Sequence, residues 1–251
     1  MGREALIGGL GLIGGSIGIA LRRRGWRVRY VDPHVSFADA QQHEAADACD
    51  AALGDADVII LATPVDVAIA QLGELADVRG VVTSVCSVMQ PLRDAARGRF
   101  VAGHPLAGSQ EHGLAAANGD LFAGKRWFVD ADDPVVDAVI ADCGAVRERA
   151  DATEHDQAVA LTSHLPQVLS TALAAYLADR DLLRFAGSGL ATFLRLAGSD
   201  AAVWSPILEA NRANLTPHLE PLLALVREIV EGDATTAFAK ANELSRTLTS
   251  K

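Results

Sequence analysis

The sequence predicts an α/β protein in two parts, an N-terminal parallel sheet wrapped by helices and an all-helical C-terminal region. Up to about residue 150, short apolar runs of strand length alternate with longer stretches of helical periodicity, as in parallel sheets with crossover helices. After residue 151 the β-branched runs end, and alanine and leucine recur every three or four positions, as in helix bundles. We therefore expect one domain over residues 1–150 and a second over residues 151–251.

Six apolar runs are predicted as strands of the parallel sheet, with helices between them. The strands are 5–8, 27–31, 58–62, 80–85, 100–102 and 127–129. The intervening helices are 12–24, 37–48, 65–75, 90–97 and 134–143. In the second part, a helix over 153–177 has Thr153 as its cap and a bend at Pro166. Helices over 181–196, 201–230 and 234–249 follow, the second of them with breaks at Pro206 and Pro217.

Composition and charge exclude several classes of protein. Half of the residues are hydrophobic and the formal net charge is −10, whereas a nucleic-acid-binding surface needs clustered Lys and Arg. The cysteines, Cys49, Cys86 and Cys143, are odd in number and widely spaced, which suits a reducing compartment better than a disulfide framework. No run is long and apolar enough for a transmembrane helix. We expect a cytoplasmic protein with neither a nucleic-acid nor a membrane partner.

A glycine motif follows the first predicted strand directly. Gly9, Gly11 and Gly14 form GxGxxG, in which the glycines allow a tight turn, close approach of a pyrophosphate and close helix–strand contact. The helix that starts at Leu12 and Ile13 then offers free N–H groups and a partial positive charge to the phosphates. Because the motif lies between a strand and a helix, it predicts a Rossmann-type dinucleotide site.

An acidic residue ends the second predicted strand, where such sites bind the adenosine ribose. The Asp32 carboxylate can accept hydrogen bonds from the ribose and would repel a 2′-phosphate, so it favours NAD over NADP. The alternative is that Asp32 only starts a turn. By analogy with other sheets of this kind, Thr63 and Pro64 border the ribose on the nicotinamide side. The predicted cofactor is NAD.

Two polar residues follow later strands at the same carboxyl edge of the sheet. Ser87 follows the run 80–85, and His104 follows 100–102 among glycines and alanines that leave room for a nicotinamide ring and a substrate. Imidazole titrates near neutrality, which suits proton transfer coupled to hydride removal from an alcohol carbon. Alternatively, His104 is a turn histidine bonded to the backbone.

The helical region adds two histidines, one aspartate and one arginine to the candidate site residues. His155 and His164, near Asp156, are nine residues apart, and an unbroken helix would put them on opposite faces, so no metal site is predicted. His164 either reaches the cleft between the two parts or packs locally. Arg195, amid apolar neighbours, either extends to water or binds a carboxylate in bidentate fashion. Helices so rich in alanine and leucine also leave apolar surface for a second subunit.

Taken together, these motifs make the sequence similar to the prephenate/arogenate dehydrogenases of tyrosine biosynthesis. The matching motifs are GLGLIGGS, Asp32, LATP, Ser87-Val88, GHPLAGS, LFAGKRW, HDQAVALTSHLP and FLRLA. They occur in order from Gly8 to Trp204, and the resemblance is to the minimal catalytic core of the family, without a regulatory domain.

The resemblance implies an N-terminal Rossmann domain and a helical C-terminal dimerisation domain. It implies oxidative decarboxylation of prephenate to 4-hydroxyphenylpyruvate, with NAD as hydride acceptor and no metal. His104 matches the histidine that accepts the proton of the 4-hydroxyl group, Ser87 the serine that orients it, and Arg195 the arginine that binds the substrate carboxylate. The other expected substrate contacts are Ser109, Gln110, His164 and Trp204.

Departures from the family pattern bear on substrate choice. Met89 and Gln167 stand where relatives often have lysine and histidine, and neutral Gln110 and Thr192 stand where relatives often have an acid. A pocket for the ammonium group of arogenate needs a carboxylate, so we expect prephenate to be preferred. Arogenate or 4-amino-4-deoxyprephenate dehydrogenase, another two-domain dehydrogenase, and a non-catalytic NAD-sensing protein remain as alternatives.

Overall fold

The computed structural model describes residues 3–108 and 111–249, whose contacts form two compact units. One unit ends at Asn211 and contains all the strands described below. The other begins at Arg212 and is helical.

Within the described residues, six strands form one parallel sheet in the order β3-β2-β1-β4-β5-β6. The strands are β1 (Glu4–Gly8), β2 (Arg27–Val31), β3 (Ala48–Cys49), β4 (Val58–Leu61), β5 (Val81–Ser84) and β6 (Phe100–Val101). The helices between them are α1 (Leu12–Arg23), α2 (Phe37–Gln42), α3 (Val65–Glu74) and α4 (Gln90–Ala95). The order reverses between β1 and β4, which is the Rossmann arrangement, and ligands bind beyond the carboxyl ends of the strands at that point.

Both faces of this sheet are covered, which explains its continuous apolar runs. Ile7 and Ile60 pack into one core cluster, whereas Leu6 and Leu61 pack into the other. Alternate residues of a strand point to opposite faces, so each central strand contributes to both clusters. The predicted parallel sheet is confirmed for β1, β2, β4, β5 and β6.

A smaller sheet, absent from the prediction, carries the 127–129 strand. Its order is β7 (Gly103–Pro105), β8 (Arg126–Val129) and β9 (Val146–Arg149), with α5 (Pro134–Asp142) between the last two. β7 runs antiparallel to β8, and His104 lies opposite Phe128. Assigning 127–129 to the parallel sheet was therefore wrong, because an apolar run does not specify which sheet buries it. Trp127 is fully buried against Phe122.

The helical part of the first unit is more broken than its periodicity predicts. Its elements are α6 (Ala152–Val159), a π-helical segment (Ala160–His164), α7 (Leu165–Ala178), α8 (Ser188–Phe193) and α9 (Ala201–Ala210). Asp151, not Thr153, caps α6, because the Asp151 carboxylate accepts the N–H groups of Thr153 and Glu154. Short 3₁₀ turns over Leu183–Phe185 and Leu194–Gly198 replace much of the helix expected over 181–196, a stretch interrupted by two glycines.

The second unit consists of α10 (Arg212–Glu231) and α11 (Thr235–Thr249). The break in the expected helix 201–230 lies at Asn211 rather than at Pro206 or Pro217, which both lie inside helices. Asn211 uses its side-chain amide in hydrogen bonds to other elements and takes a non-helical backbone conformation. Large apolar side chains of this unit are exposed: Leu219, Leu223, Leu225, Val226, Val230, Phe238, Leu244 and Leu248. None of the described helices combines the length and the apolarity that crossing a membrane requires.

Candidate active site

The glycine loop between β1 and α1 has a backbone that larger residues would disrupt. Gly9 has φ +86°, and a Cβ atom there would lie 2.8 Å from the Ala62 carbonyl oxygen. A Cβ atom at Gly14 would lie 1.9 Å from the Gly9 carbonyl oxygen. Helix α1 follows without an acidic residue in its first turn, so its positive N-terminal end is not neutralised by its own side chains. The loop fits a bound pyrophosphate.

Asp32 stabilises the glycine loop in addition to its predicted contact with the ribose. One carboxylate oxygen accepts the N–H of Leu10 in the glycine loop at 2.8 Å, and the other accepts the N–H of His34 at 2.7 Å. Asp32 therefore starts a turn, as the alternative interpretation predicted. Each carboxylate oxygen has a second lone pair, so the group that braces the loop is still able to accept ribose hydroxyls.

A cavity of about 1010 Å³ lies at the carboxyl edge of the sheet. Of the predicted site residues, its lining includes Gly11, Leu12, Ile13, Thr63, Pro64, Ser87, Arg195 and Trp204. The cavity is therefore lined both by the first turn of α1 and by residues of the helical part. Gly9, Gly14, Asp32, His104 and His164 do not line it, and Ser109 and Gln110 lie outside the described residues.

A second cavity, of about 670 Å³, lies at the opposite, amino edge of the sheet. Its arginines, Arg3, Arg79 and Arg99, are ion-paired with Asp142, Asp55 and Asp133. These cations are already neutralised, so the carboxyl-edge cavity is the better candidate for an anionic ligand.

Ser87 and Cys86 reach the cavity from the loop after β5. Ser87 is half-buried, and its hydroxyl is the polar group that this loop offers. Cys86 is buried, and burial raises the pKa of its thiol to about 12. Since a thiol with that pKa is protonated at neutral pH, Cys86 acts as an apolar wall and not as a nucleophile.

His104, on β7, contacts another histidine, and within residues 3–108 and 111–249 its ring makes no hydrogen bond to the backbone. Its Nδ1 lies 2.9 Å from Nε2 of His155, and Nδ1 of His155 lies 2.8 Å from a carboxylate oxygen of Asp156. Burial lowers the pKa of His104 to about 3. The His104 ring is therefore neutral at neutral pH and able to accept a proton.

Asp156 connects this pair of histidines to the loop that carries Ser87. Its carboxylate accepts the N–H groups of Met89 and Gln90 at 2.8 and 2.9 Å, just after Ser87. The sequence pattern offered His155 and Asp156 only as candidate metal ligands, and no metal site was predicted from them. In the described part of the chain, no group of three or more His, Cys, Asp or Glu side chains is arranged to hold a metal ion. The adjacent residues His155 and Asp156 were the sequence feature that could have indicated a hydrogen-bonded histidine and carboxylate.

His164 is fully buried beside this cluster. Its Nδ1 lies 3.0 Å from the side-chain amide nitrogen of Asn211, which also donates to the Asp156 carbonyl oxygen. Trp204 packs edge-on against its ring, with 5.8 Å between centroids. Burial lowers the pKa of His164 to about 4. His155 and His164 belong to one cluster because the π-helical segment changes the helical phase between them.

Arg195 lies exposed on the cavity wall, in the turn Leu194–Gly198. No carboxylate forms an ion pair with it within 3–108 and 111–249. Gln167 of α7 holds the turn, since its Nε2 donates to the Leu196 carbonyl oxygen at 2.8 Å and its Oε1 accepts from the Ser199 hydroxyl at 3.3 Å. Ser170 of α7 donates to the Phe193 carbonyl oxygen on the other side of Arg195. The guanidinium is thus presented to the cavity from a braced segment.

Among the described residues, the acidic side chain that lines the cavity is Asp200, whereas relatives often have an acid at positions 110 and 192. Thr192 is exposed, donates to the Ser188 carbonyl oxygen and does not line the cavity. Asp200 lines the cavity and also caps α9 by accepting the N–H of Ala202. Its position depends on the turn before α9, Leu194–Gly198, the first three residues of which the sequence pattern assigned to the end of a helix.

Two family models match the chain: "Prephenate dehydrogenase, nucleotide-binding domain" over residues 17–152 and "Prephenate dehydrogenase, dimerization domain" over residues 151–248. The chain is 34% identical to the "Probable prephenate dehydrogenase NovF" of Streptomyces niveus, over 94% of this chain and 72% of that protein. It is 27% identical to the prephenate dehydrogenase of Bacillus subtilis, over 89% of this chain and 68% of that protein.

Solved structures of similar proteins cover nearly the whole chain. The prephenate dehydrogenase from A. aeolicus in complex with hydroxyphenyl propionate and NAD⁺ has a TM-score of 0.86 at 26% identity, over 99% of both chains. The Synechocystis arogenate dehydrogenase has a TM-score of 0.75 at 25% identity, over 99% of this chain and 97% of that one.

Proposed function

The chain belongs to the prephenate dehydrogenase family of NAD-dependent oxidoreductases, and we propose that it converts prephenate to 4-hydroxyphenylpyruvate in tyrosine biosynthesis. The observation that carries the proposal is the cavity of about 1010 Å³ at the carboxyl edge, because the first turn of α1, Ser87 and Arg195 all line it. It is large enough for a nicotinamide group and a ring substrate together, since ligand pockets span about 300–1,000 Å³.

The residues of the carboxyl edge fit NAD. The tight backbone at Gly9 and Gly14 and the free positive end of α1 suit a pyrophosphate, while Asp32 offers a carboxylate to the ribose. When bound, NAD supplies the hydride acceptor. The residues that would hold it are Gly9, Gly11, Leu12, Ile13, Gly14, Asp32, Thr63 and Pro64.

His104 is the base of this proposal. Its Nδ1 is engaged by His155, so Nε2 is the nitrogen that takes the proton of the substrate hydroxyl, and Ser87 orients that hydroxyl. Arg195 binds a substrate carboxylate with its two-pronged guanidinium, and Trp204 forms an apolar wall. Ser109 and Gln110 complete the proposed substrate contacts, whereas His164, which is fully buried and outside the cavity lining, supports the site by packing against Trp204.

The test is NADH formation, followed by absorbance, with prephenate, arogenate and 4-amino-4-deoxyprephenate in parallel. We expect the highest kcat/KM with prephenate. An absence of NADH with all three substrates would refute the proposed function, and NAD binding without turnover would favour an NAD-sensing protein.

Arogenate is a second candidate substrate because of one carboxylate. Asp200 lines the cavity and is able to pair with an ammonium group, although one of its oxygens already caps α9. The Asp200→Asn variant keeps a capping oxygen and removes the charge. If arogenate is a substrate through Asp200, this variant loses kcat/KM for arogenate and keeps it for prephenate.

Domain organisation and assembly are also proposed. The family models meet at residues 151–152, which supports domains over 1–150 and 151–251. The compact unit nevertheless extends to Asn211, because α6 contacts α4 and α9 contacts α3. The dimerization-domain match and the exposed apolar side chains of α10 and α11 support a homodimer through the helical region. Three free cysteines suit a reducing cytoplasm.

A further inference from the structure

Three side chains next to the loop that carries Ser87 form a continuous chain of hydrogen bonds. Asp156 and His155 are both buried, and His155 lies between Asp156 and His104 with separations of 2.8 and 2.9 Å. The rings of His155 and His104 meet edge to face at 5.1 Å between centroids, and Phe128 packs against His155 at 5.6 Å. His155 is thus confined on several sides, with one nitrogen toward each polar neighbour.

The hydrogen bonds of Asp156 determine which ring nitrogen of each histidine carries the proton. Both of its carboxylate oxygens accept backbone N–H groups, from Met89 and Gln90, so the group acts as an acceptor toward His155 as well. The hydrogen bond between Asp156 and His155 is therefore donated by Nδ1 of His155. With that proton on Nδ1, Nε2 of His155 has a lone pair, which accepts the Nδ1 proton of His104.

This arrangement matters because a neutral histidine carries only one ring proton. Burial holds the pKa of His104 well below its ordinary value, so its ring is neutral near pH 7 and one of two tautomers must be selected. With its proton on Nδ1, His104 has a bare Nε2. The opposite tautomer would turn Nε2 into a donor, which cannot take a proton from a hydroxyl group.

We propose that His155 is a positioning residue that, anchored by Asp156, holds the Nδ1 proton of His104 and so leaves Nε2 of His104 as the base. The inference rests on the proposed function. In the proton step, the O–H bond of the substrate hydroxyl breaks, its proton moves to Nε2 of His104, and the bonding electron pair stays on the oxygen. The imidazolium formed keeps its Nδ1–H on His155, whose other side is fixed to the Asp156 anion.

Two variants of His155 separate this role from simple packing. Glutamine reaches the position of Nε2 and retains an acceptor for His104, whereas asparagine reaches the position of Nδ1 and retains a donor to Asp156. We expect His155→Gln to keep kcat within about tenfold and His155→Asn to lose a further 10- to 100-fold, part of the roughly 10²–10⁴ that a positioned base supplies. The KM for prephenate and the Kd for NAD should change less than about twofold in both.

The tautomer itself is measurable without substrate. In the full chain with ¹⁵N-labelled histidine rings, we expect His104 and His155 each to show a protonated Nδ1 and a bare Nε2. We also expect the His104 signals to show a mixture of tautomers in His155→Asn. A His104 proton on Nε2 in the parent, or a His155→Asn variant more active than His155→Gln, would overturn the proposal. A parent that does not oxidise prephenate would refute the proposed function, while the ring signals would still decide the tautomer.

Discussion

Replacing Gln167 with leucine should weaken substrate binding without touching a reacting atom. Gln167 is buried, and its Nε2 donates to the Leu196 carbonyl oxygen at 2.8 Å and to the Thr171 hydroxyl at 3.1 Å, while its Oε1 accepts from the Ser199 hydroxyl at 3.3 Å. Leucine has a similar size and makes none of these three bonds. With a net contribution of about 0.5–1.5 kcal/mol for each bond, the free energy of unfolding should fall by about 1.5–4.5 kcal/mol.

The same change should appear in the kinetics, because Gln167 braces the turn that carries Arg195. In the variant, substrate binding has to supply the free energy that orders this turn. If that free energy is about 1 kcal/mol, the KM for prephenate rises about fivefold. The kcat should stay within about twofold, since Arg195 still reaches the bound substrate.

The assays are urea unfolding and steady-state NADH formation, with Tyr30→Phe as the matched control. That variant also removes one buried donor to a carbonyl oxygen, the Tyr30–Val35 bond of 2.9 Å on β2. It should cost about 1 kcal/mol of stability and leave the KM for prephenate unchanged. A Gln167→Leu variant that is destabilised but has the parent KM would refute the reasoning about the turn.

Four further outcomes are expected. His104→Ala should lower kcat about 10²- to 10⁴-fold with an unchanged Kd for NAD, and near-normal turnover would rule it out as the base. Asp32→Ser should weaken NAD binding and allow some use of NADP, measured by kcat/KM for each cofactor; equal use of both by the parent would contradict this. Arg195→Lys should raise the KM for prephenate about tenfold, because an ammonium group does not reproduce the two-pronged contact, whereas an unchanged KM would place Arg195 outside the substrate contacts. Stability should fall as the pH drops below about 6.5, because the folded pKa values of His104 and His164, about 3 and about 4, are depressed by burial and only the unfolded chain takes up these protons. Each group lowers the free energy of unfolding by about 1.4 kcal/mol for each pH unit between about pH 6.5 and its folded pKa, and has no effect above pH 7. Equal stabilities in urea unfolding at pH 7 and pH 5 would contradict this.

The glycine loop was predictable because its signal is local. The loop needs a positive φ at Gly9 and a Cβ-free position at Gly14, and only glycine meets both demands in a short stretch between a strand and a helix. The central strands were predictable for a related reason. Burial on both faces requires continuous apolar runs such as Val58–Leu61.

The small sheet and the histidine cluster were not predictable in the same way. β9, Val146–Arg149, has charged residues at three of its four positions and so has no strand periodicity. His104 and His155 are 51 residues apart, and their contact depends on how α6 packs on the loops at the sheet edge. The π-helical segment 160–164 alters which side chains share a face, and a 3.6-residue period does not anticipate it.

The helix breaks show a similar limit. Pro206 and Pro217 lie inside helices, and the chain breaks instead at Asn211, whose amide bonds to the Asp156 carbonyl oxygen and to His164. Tertiary hydrogen bonds outweighed the local preference of proline at these positions. Asp200 reached the cavity for a comparable reason, since the turn before α9 is set by packing against α7.

The central claim is hydride transfer from the ring carbon that bears the hydroxyl group of prephenate, and isotope transfer tests it most directly. Prephenate deuterated at that carbon is incubated with NAD and the full chain, and the products are analysed by mass spectrometry. We predict one deuterium in each NADH formed and an equal amount of 4-hydroxyphenylpyruvate. NADH without deuterium, or no 4-hydroxyphenylpyruvate, would contradict the assignment.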